Sequence, residues 1–142
     1  MTTNSTIQKH LDLARRFASS LDAVDYVSTA ACLAPDCRYE IGGTTHVGPD
    51  AIVASYRKSS DWATGTLDDI QYESNVRPGE HGTVVIEFVD HLKHAGITHT
   101  HRCEQRLQFD ESGLISSIKH VDLAGEQEAM DRFWDLTGLS RP

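Results

Sequence analysis

The stretch from His81 to Phe109 carries two long alternating segments around one short turn signal, and only one pairing of them keeps apolar side chains together. In the first segment Val84, Ile86, Phe88 and Leu92 alternate with Thr83, Val85, Glu87, Val89 and His91, the period of two that marks a half-buried strand. In the second, Ile97, Cys103, Leu107 and Phe109 share one face, and Thr98, Thr100, Arg102, Glu104, Arg106 and Gln108 form a polar one. With Ala95-Gly96 as the turn, strands Thr83 to His94 and Ile97 to Phe109 pair so that Phe88 meets Cys103 and Val84 meets Leu107. A slip by one would set Phe88 against Arg102, which hydrophobic matching rejects. The accepted register places Asp90 opposite His101 on the mainly apolar face. A carboxylate and an imidazole are thereby directed to the core side of a sheet.

The flanking segments supply partners for this hairpin. Ser5-x-x-Gln8 has the form of a capping box, and Ile7, Leu11, Ala14, Ala18 and Leu21 follow at helical spacing to about Ser20. Asp22 is expected to cap a second helix containing Tyr26, Val27, Ala30, Ala31 and Leu33, which stops before Pro35. Short strands are predicted at Arg38 to Ile41 and Thr45 to Val47, joined by Gly42-Gly43. Gly48-Pro49-Asp50 opens a third helix that closes near Trp62. A strand from Leu67 to Val76 precedes the long hairpin, and Asp110-Glu111-Ser112-Gly113 turns the chain into a last strand, Leu114 to Leu123. Met130, Phe133, Trp134 and Leu136 mark a C-terminal helix ended by Gly138. The order is that of one α+β domain spanning residues 1–142, with no repeat, linker or low-complexity segment.

A chain of 142 residues can bury roughly 68–70% of its unfolded surface, so no disulfide staple is required. Cys32, Cys37 and Cys103 are too few and too irregular for a disulfide framework or a Cys-rich zinc site, and are read as buried thiols. The net charge of −8 argues against nucleic acid and anionic membranes as partners. No apolar run approaches the ~20 residues of a membrane span, and the first residues lack a signal-peptide pattern. A cytoplasmic location is expected.

Leu33-Ala34-Pro35-Asp36-Cys37-Arg38-Tyr39-Glu40, Val47-Gly48-Pro49-Asp50-Ala51-Ile52 and Phe109-Asp110-Glu111-Ser112-Gly113-Leu114-Ile115, in this order of elements, resemble the SnoaL-like group of the nuclear-transport-factor-2-like superfamily. The resemblance implies a curved mixed or antiparallel sheet wrapped as a cone around an apolar cavity, closed by helices, and a homodimer. It does not name a reaction, because relatives include ketosteroid isomerases, scytalone dehydratase, polyketide cyclases, an epoxide hydrolase and binding modules. The ketosteroid isomerase residues do not carry over: a tyrosine and two aspartates are matched by Phe17, Ile41 and Gln105. Asp22 stands where scytalone dehydratase has an aspartate, but Leu21 replaces the tyrosine before it. A cyclase-like aspartate of the last strand falls at His120, with Asp122 two residues on.

Reading Asp110 to Gly113 as a four-residue loop pairs Phe109 with Leu114, Cys103 with His120, His101 with Asp122 and Glu104 with Lys119. Asp90, His101 and Asp122 then lie across three strands, with His120 beside them. A carboxylate-held imidazole has a fixed tautomer and a raised pKa, which suits proton transfer near neutral pH. His101 is accordingly the expected proton-transfer residue, oriented by Asp90 or Asp122, with His120 or Tyr39 on a substrate oxygen. Phe17, Tyr39, Tyr56, Trp62, Phe88, Cys103 and Gln105 are the expected substrate-binding residues. The same cluster could instead be a satisfied polar network at the sheet end or in a subunit interface. His94, His99 and His101 share a face and would be the metal ligands, but no helical histidine motif accompanies them, so neither metal nor cofactor is expected. Glu87 and Glu104, flanked by Arg102, Arg106 and Lys119, read as a salt-bridge network rather than an acid–base pair. The expected function is binding of a small, mostly apolar molecule, either with cofactor-free isomerase, dehydratase or cyclase chemistry or as a non-catalytic module.

Overall fold

In the computed structural model, which describes residues 4–140, the central hairpin forms in the register that hydrophobic matching selects. The elements in order are α1 (Asn4–Asp22), α2 (Tyr26–Ala31), β1 (Leu33–Ile41), β2 (Thr44–Val47), α3 (Pro49–Thr66), β3 (Asp69–Pro78), β4 (Val84–His94), β5 (Ile97–Phe109), β6 (Ile115–Asp122) and α4 (Glu126–Thr137). The six strands form one sheet in the order β2-β1-β6-β5-β4-β3. All neighbours are antiparallel except β1 and β6, so the sheet is mixed. No helix among the described residues is long and apolar enough to cross a membrane.

Between β4 and β5, Val84 pairs with Leu107, Phe88 with Cys103, Asp90 with His101 and His94 with Ile97. The other edge of β4 meets β3 so that Tyr72 lies opposite Asp90 and Ser74 opposite Phe88. The main core lies where α1, α2 and α3 cover one face of the sheet: Leu11, Ala14, Phe17 and Ala18 of α1 and Ile52 of α3 pack with Tyr39, Ile86, Leu107 and Ile118. A second cluster joins Ala63, Leu67 and Leu92 to Phe133 and Trp134 of α4. α4 therefore closes the other end of that face.

Four sequence expectations are corrected. The second helix ends at Ala31, and Leu33, expected within it, already begins β1. Asp22 does not cap the second helix. Asp25 does, accepting from the Ser28 backbone N–H at 3.3 Å and the Ser28 hydroxyl at 2.6 Å, and the short α2 leaves Val27 exposed. The third helix continues past Trp62 to Thr66. Finally, β5 and β6 pair two residues away from the expected register: Cys103 meets Asp122, Gln105 meets His120 and Arg106, not Glu104, meets Lys119. Asp110 Oδ1 accepts from the backbone of Ser112 and Leu114, and the Asp110 N–H donates to the Leu114 carbonyl, so the hairpin closes one residue later than a Phe109–Leu114 pair would. An irregularity between Gln108 and Phe109 adds the second residue. Two one-residue shifts restore the alternation, so each residue keeps its side of the sheet but has different cross-strand neighbours.

The turn at Ala95-Gly96 has positive φ at both residues, 52° and 78°, the two-residue geometry that suits the strand twist. Asp68 Oδ2 holds the Ala95 N–H at 2.9 Å. An alanine in the left-handed region is strained by about 1 kcal/mol. Ala95→Asn, which tolerates that region, should raise stability by a similar amount in urea denaturation; an unchanged or lower midpoint would show that the turn carries no such strain.

A candidate ligand cavity with a buried carboxylate

Curling the sheet around α1 and α3 leaves a cavity of about 290 Å³, near the lower end of the ~300–1,000 Å³ usual for small-molecule sites. Ile41, Ile70, Phe88, Leu92, Met130 and Trp134 contribute its apolar wall. Of the residues expected to bind substrate, Tyr39, Tyr56, Trp62, Phe88, Cys103 and Gln105 line it. Phe17 does not; it is fully buried behind Tyr56, edge-to-face at 5.9 Å between ring centroids. Asp90 and His120 also line the cavity, whereas His101 and Asp122 do not.

The expected Asp90–His101 dyad is not formed. The two are register partners, yet no hydrogen bond joins them, and His101 Nδ1 is buried without a partner. The N-terminal end of α4 covers this part of β5: Glu126 Oε1 accepts from the Arg102 N–H at 3.1 Å, and Phe133 stacks on His99 at 5.4 Å. Burial pushes the His101 pKa down and outweighs the opposing influence of Glu126 and Asp122. A raised imidazole pKa, the basis for choosing His101, is thus the wrong sign. Nor do His94, His99 and His101 assemble a metal site; among the described residues no group of three or more His, Cys, Asp or Glu side chains is placed to hold a metal ion.

On the cavity wall, the imidazole that holds a carboxylate is His120. Its Nε2 lies 2.9 Å from Asp122 Oδ1, and its Nδ1 lies 3.4 Å from Gln105 Nε2. Because the carboxylate can only accept, Nε2 carries the proton of a neutral ring and Nδ1 accepts from the amide. Gln105 also donates through Nε2 to the Tyr39 hydroxyl at 3.0 Å, while its Oε1 accepts from the Tyr56 hydroxyl at 2.6 Å. The Tyr39 and Tyr56 rings stack at 4.9 Å. With its oxygen already accepting, Tyr39 has an O–H left to donate, either to the neighbouring Tyr56 oxygen or to an oxygen of a bound molecule. Burial raises the pKa of both phenols, which keeps them protonated donors. Gln105 is the hub because its one amide reaches three partners, Tyr39, Tyr56 and His120.

On the β3–β4 part of the wall the polar groups are carboxylates. Asp90 has no hydrogen-bond donor, and burial, reinforced by the negative charge of Asp22, pushes its pKa up to about 6. Asp22, which the capping argument had placed at a helix start, instead turns inward at the end of α1 and accepts from the Ser74 hydroxyl at 2.6 Å. Burial raises its pKa as well. Tyr26 and Tyr72 complete this part, and the Tyr72 hydroxyl is 3.4 Å from that of Ser60. Sequence reasoning missed these residues, although Tyr72 sat on the inward face of its predicted strand. Cys103 also faces the cavity, its thiol pushed up to about 12, chiefly by burial. The Glu87 and Glu104 pair lies on the opposite face in ion pairs, with the expected Arg102 3.6 Å from Glu87, while Arg77 of β3, and neither Arg106 nor Lys119, lies 2.7 Å from Glu104.

The raised Asp90 pKa has a definite sign in stability. Below about pH 4 the group is protonated folded or unfolded and contributes nothing. Between 3.8 and about 6 the unfolded chain has released a proton that the folded chain retains, so stability falls with rising pH, and the loss is complete above pH 6. Its full size is on the order of 3 kcal/mol. Asp90→Asn should therefore be more stable than the parent at pH 8, by a margin that shrinks towards pH 4 in guanidinium denaturation. A margin independent of pH would mean that Asp90 is not a strained carboxylate.

No protein-family model matches the chain, and no curated protein matches it. Solved structures do. A candidate polyketide cyclase from Xanthomonas campestris pv. campestris is 15% identical, with a TM-score of 0.67 over 88% of this chain and 97% of that one. An LEH-like epoxide hydrolase from Mycobacterium tuberculosis is 17% identical, with a TM-score of 0.64 over 93% and 98%. A further M. tuberculosis protein, solved in complex with estradiol-17β-hemisuccinate, is 16% identical, with a TM-score of 0.61 over 83% and 96%. The chain thus has the nuclear-transport-factor-2-like fold. Identities this low carry the fold and not a reaction.

Proposed function

We propose that this protein binds a small, mostly apolar organic molecule in the cavity and transfers a proton on it through Asp90, without a cofactor. The carrying observation is a half-buried carboxylate with no hydrogen-bond donor, facing an apolar cavity, with a pKa of about 6. Such a group is mostly ionised at pH 7 yet takes up a proton readily. Tyr39 is the complementary donor. In the reaction a C–H bond next to a carbonyl breaks, its proton passes to a carboxylate oxygen of Asp90, and the electron pair shifts to the substrate oxygen held by the Tyr39 hydroxyl. Return of the proton from Asp90 to another carbon completes an isomerisation; if Asp90 instead gives the proton to a β-hydroxyl, the enolate's electron pair forms the new C=C bond, water leaves and the result is a dehydration. Gln105 and the His120–Asp122 pair position Tyr39. Bound ligand in a structure of the same fold supports the ligand-binding half of this reading.

The reaction is testable before its substrate is known. Cyclic ketones and enones incubated with the protein in D₂O should gain deuterium next to the carbonyl, read by mass spectrometry, at a rate that rises as pH increases through about 6. Asp90→Asn should lower the rate by ~10²–10⁴-fold, and Tyr39→Phe by a smaller factor. Binding of these compounds without any exchange would leave the second reading, a non-catalytic ligand-binding module. The family resemblance of the sequence implies a homodimer, for which light scattering should give twice the chain's 15.7 kDa.

A further inference from the structure

The cavity wall contains Asp22, Asp90 and His120 but no lysine or arginine. The two carboxylates come from different elements, the end of α1 and the middle of β4, and each is denied what usually settles a half-buried acid. Asp22 receives one hydrogen bond, from Ser74, and Asp90 receives none. The negative charge of Asp22 acts on Asp90, and that of Glu73 acts on Asp22. An unpaired buried carboxylate is costly, and removing the second partner's charge would not supply its missing donors. Around this pair stand aromatic faces: Tyr72 is the register partner of Asp90 on β3, Tyr26 begins α2 four residues after Asp22, and Trp62 lies on α3.

We infer that the molecule taken by this cavity carries a protonated amine, seated between the Asp22 and Asp90 carboxylates and against the Tyr26 and Tyr72 rings. The inference rests on the cavity being the ligand site. An ammonium group brings three donors and a positive charge, enough to bond both carboxylates and cancel their repulsion. Aromatic faces attract the same charge. A neutral hydroxyl offers one donor and leaves the repulsion in place, and an anionic ligand would add to it. A divalent cation lacks a third ligating side chain among the described residues. Arg57 does not answer the need: its guanidinium lies 4.8 Å from the Tyr26 ring centroid, but it is not part of the wall and no ion pair connects it to either aspartate. The body of the ligand then lies along Phe88, Leu92 and Trp134, with an acceptor oxygen reaching Tyr39.

The groups that set this titration are Asp22 from α1, Tyr26 from α2, Tyr72 and Glu73 from β3, His91 on β4 and Cys103 on β5. Among them Asp90 both lines the cavity beside the proposed amine seat and has a pKa of about 6, so amine affinity should rise as pH increases through that value.

Three probes of nearly equal shape decide the matter: phenethylamine, 2-phenylethanol and phenylacetate, titrated against the full chain by calorimetry and by tryptophan fluorescence. At pH 7.5 the amine should bind at least 10-fold more tightly than the alcohol, phenylacetate should bind most weakly, and the amine's advantage should shrink at pH 5. Asp22→Asn and Asp90→Asn should each cut amine affinity by 10-fold or more while retaining the alcohol's. Equal affinities for amine and alcohol, or tightest binding of phenylacetate, would overturn the amine inference and leave the cavity as a ligand site. If none of the three binds, both the inference and the ligand-site reading fall.

Discussion

The hydrogen-bonded register of β4 against β5 is what the remainder of the molecule is built on. It sets Val84, Ile86 and Phe88 against Leu107, Gln105 and Cys103, which gives the helices an apolar surface to cover. It also fixes Asp90 on that surface, next to Tyr72 on one neighbouring strand and His101 on the other. A single-residue slip would exchange this face for one bearing Glu87, Arg102 and Glu104, and neither core nor cavity would exist. The carboxylate in the cavity is therefore a consequence of the same pairing that builds the core.

The division of the covering surface between helices determines which polar groups stay open to a ligand. α4 lies over the β5 segment around His99 and His101, leaving one ring nitrogen of each buried without a partner and pushing both pKa values down through burial. α1 and α3 stand back from the sheet at Asp90 and Gln105. The two neighbouring pairs, Asp90–His101 in sequence expectation and Asp90–Asp22 in fact, differ only in which side of Asp90 is covered. Electrostatics follows packing here: the uncovered side holds a second acid, and so the carboxylate is pushed towards protonation instead of being held ionised by an imidazole.

Most of the fold was legible because it rests on alternation, which the sequence displays directly. β5 has the expected limits, Ile97 to Phe109, and Gly138 with its positive φ ends α4 as expected. The cavity residues Tyr39, Tyr56, Trp62, Phe88, Cys103 and Gln105 were legible from the implied fold. What failed depended on choices that sequence leaves degenerate. Asp22 and Asp25 are both plausible caps, and assigning the cap to Asp22 concealed a cavity acid. The β5–β6 turn admits closures differing by one residue, and a bulge is silent in the alternation. His101 failed for another reason: register places Cα atoms, whereas a hydrogen bond depends on where side chains are directed once a helix from elsewhere in the chain packs on top.

Cys103 occupies the same wall as these acids, and burial holds its thiol at a pKa of about 12. At neutral pH the thiolate fraction is then roughly one in 10⁵, against a few per cent for an ordinary cysteine. A sulfur in a substrate cavity would otherwise be a hazard to any electrophile, since conjugated carbonyls alkylate thiolates irreversibly. Here the low dielectric that destabilises Asp90 also passivates its sulfur neighbour. Any conjugated carbonyl that entered the cavity would therefore meet a thiol at this wall and almost no thiolate.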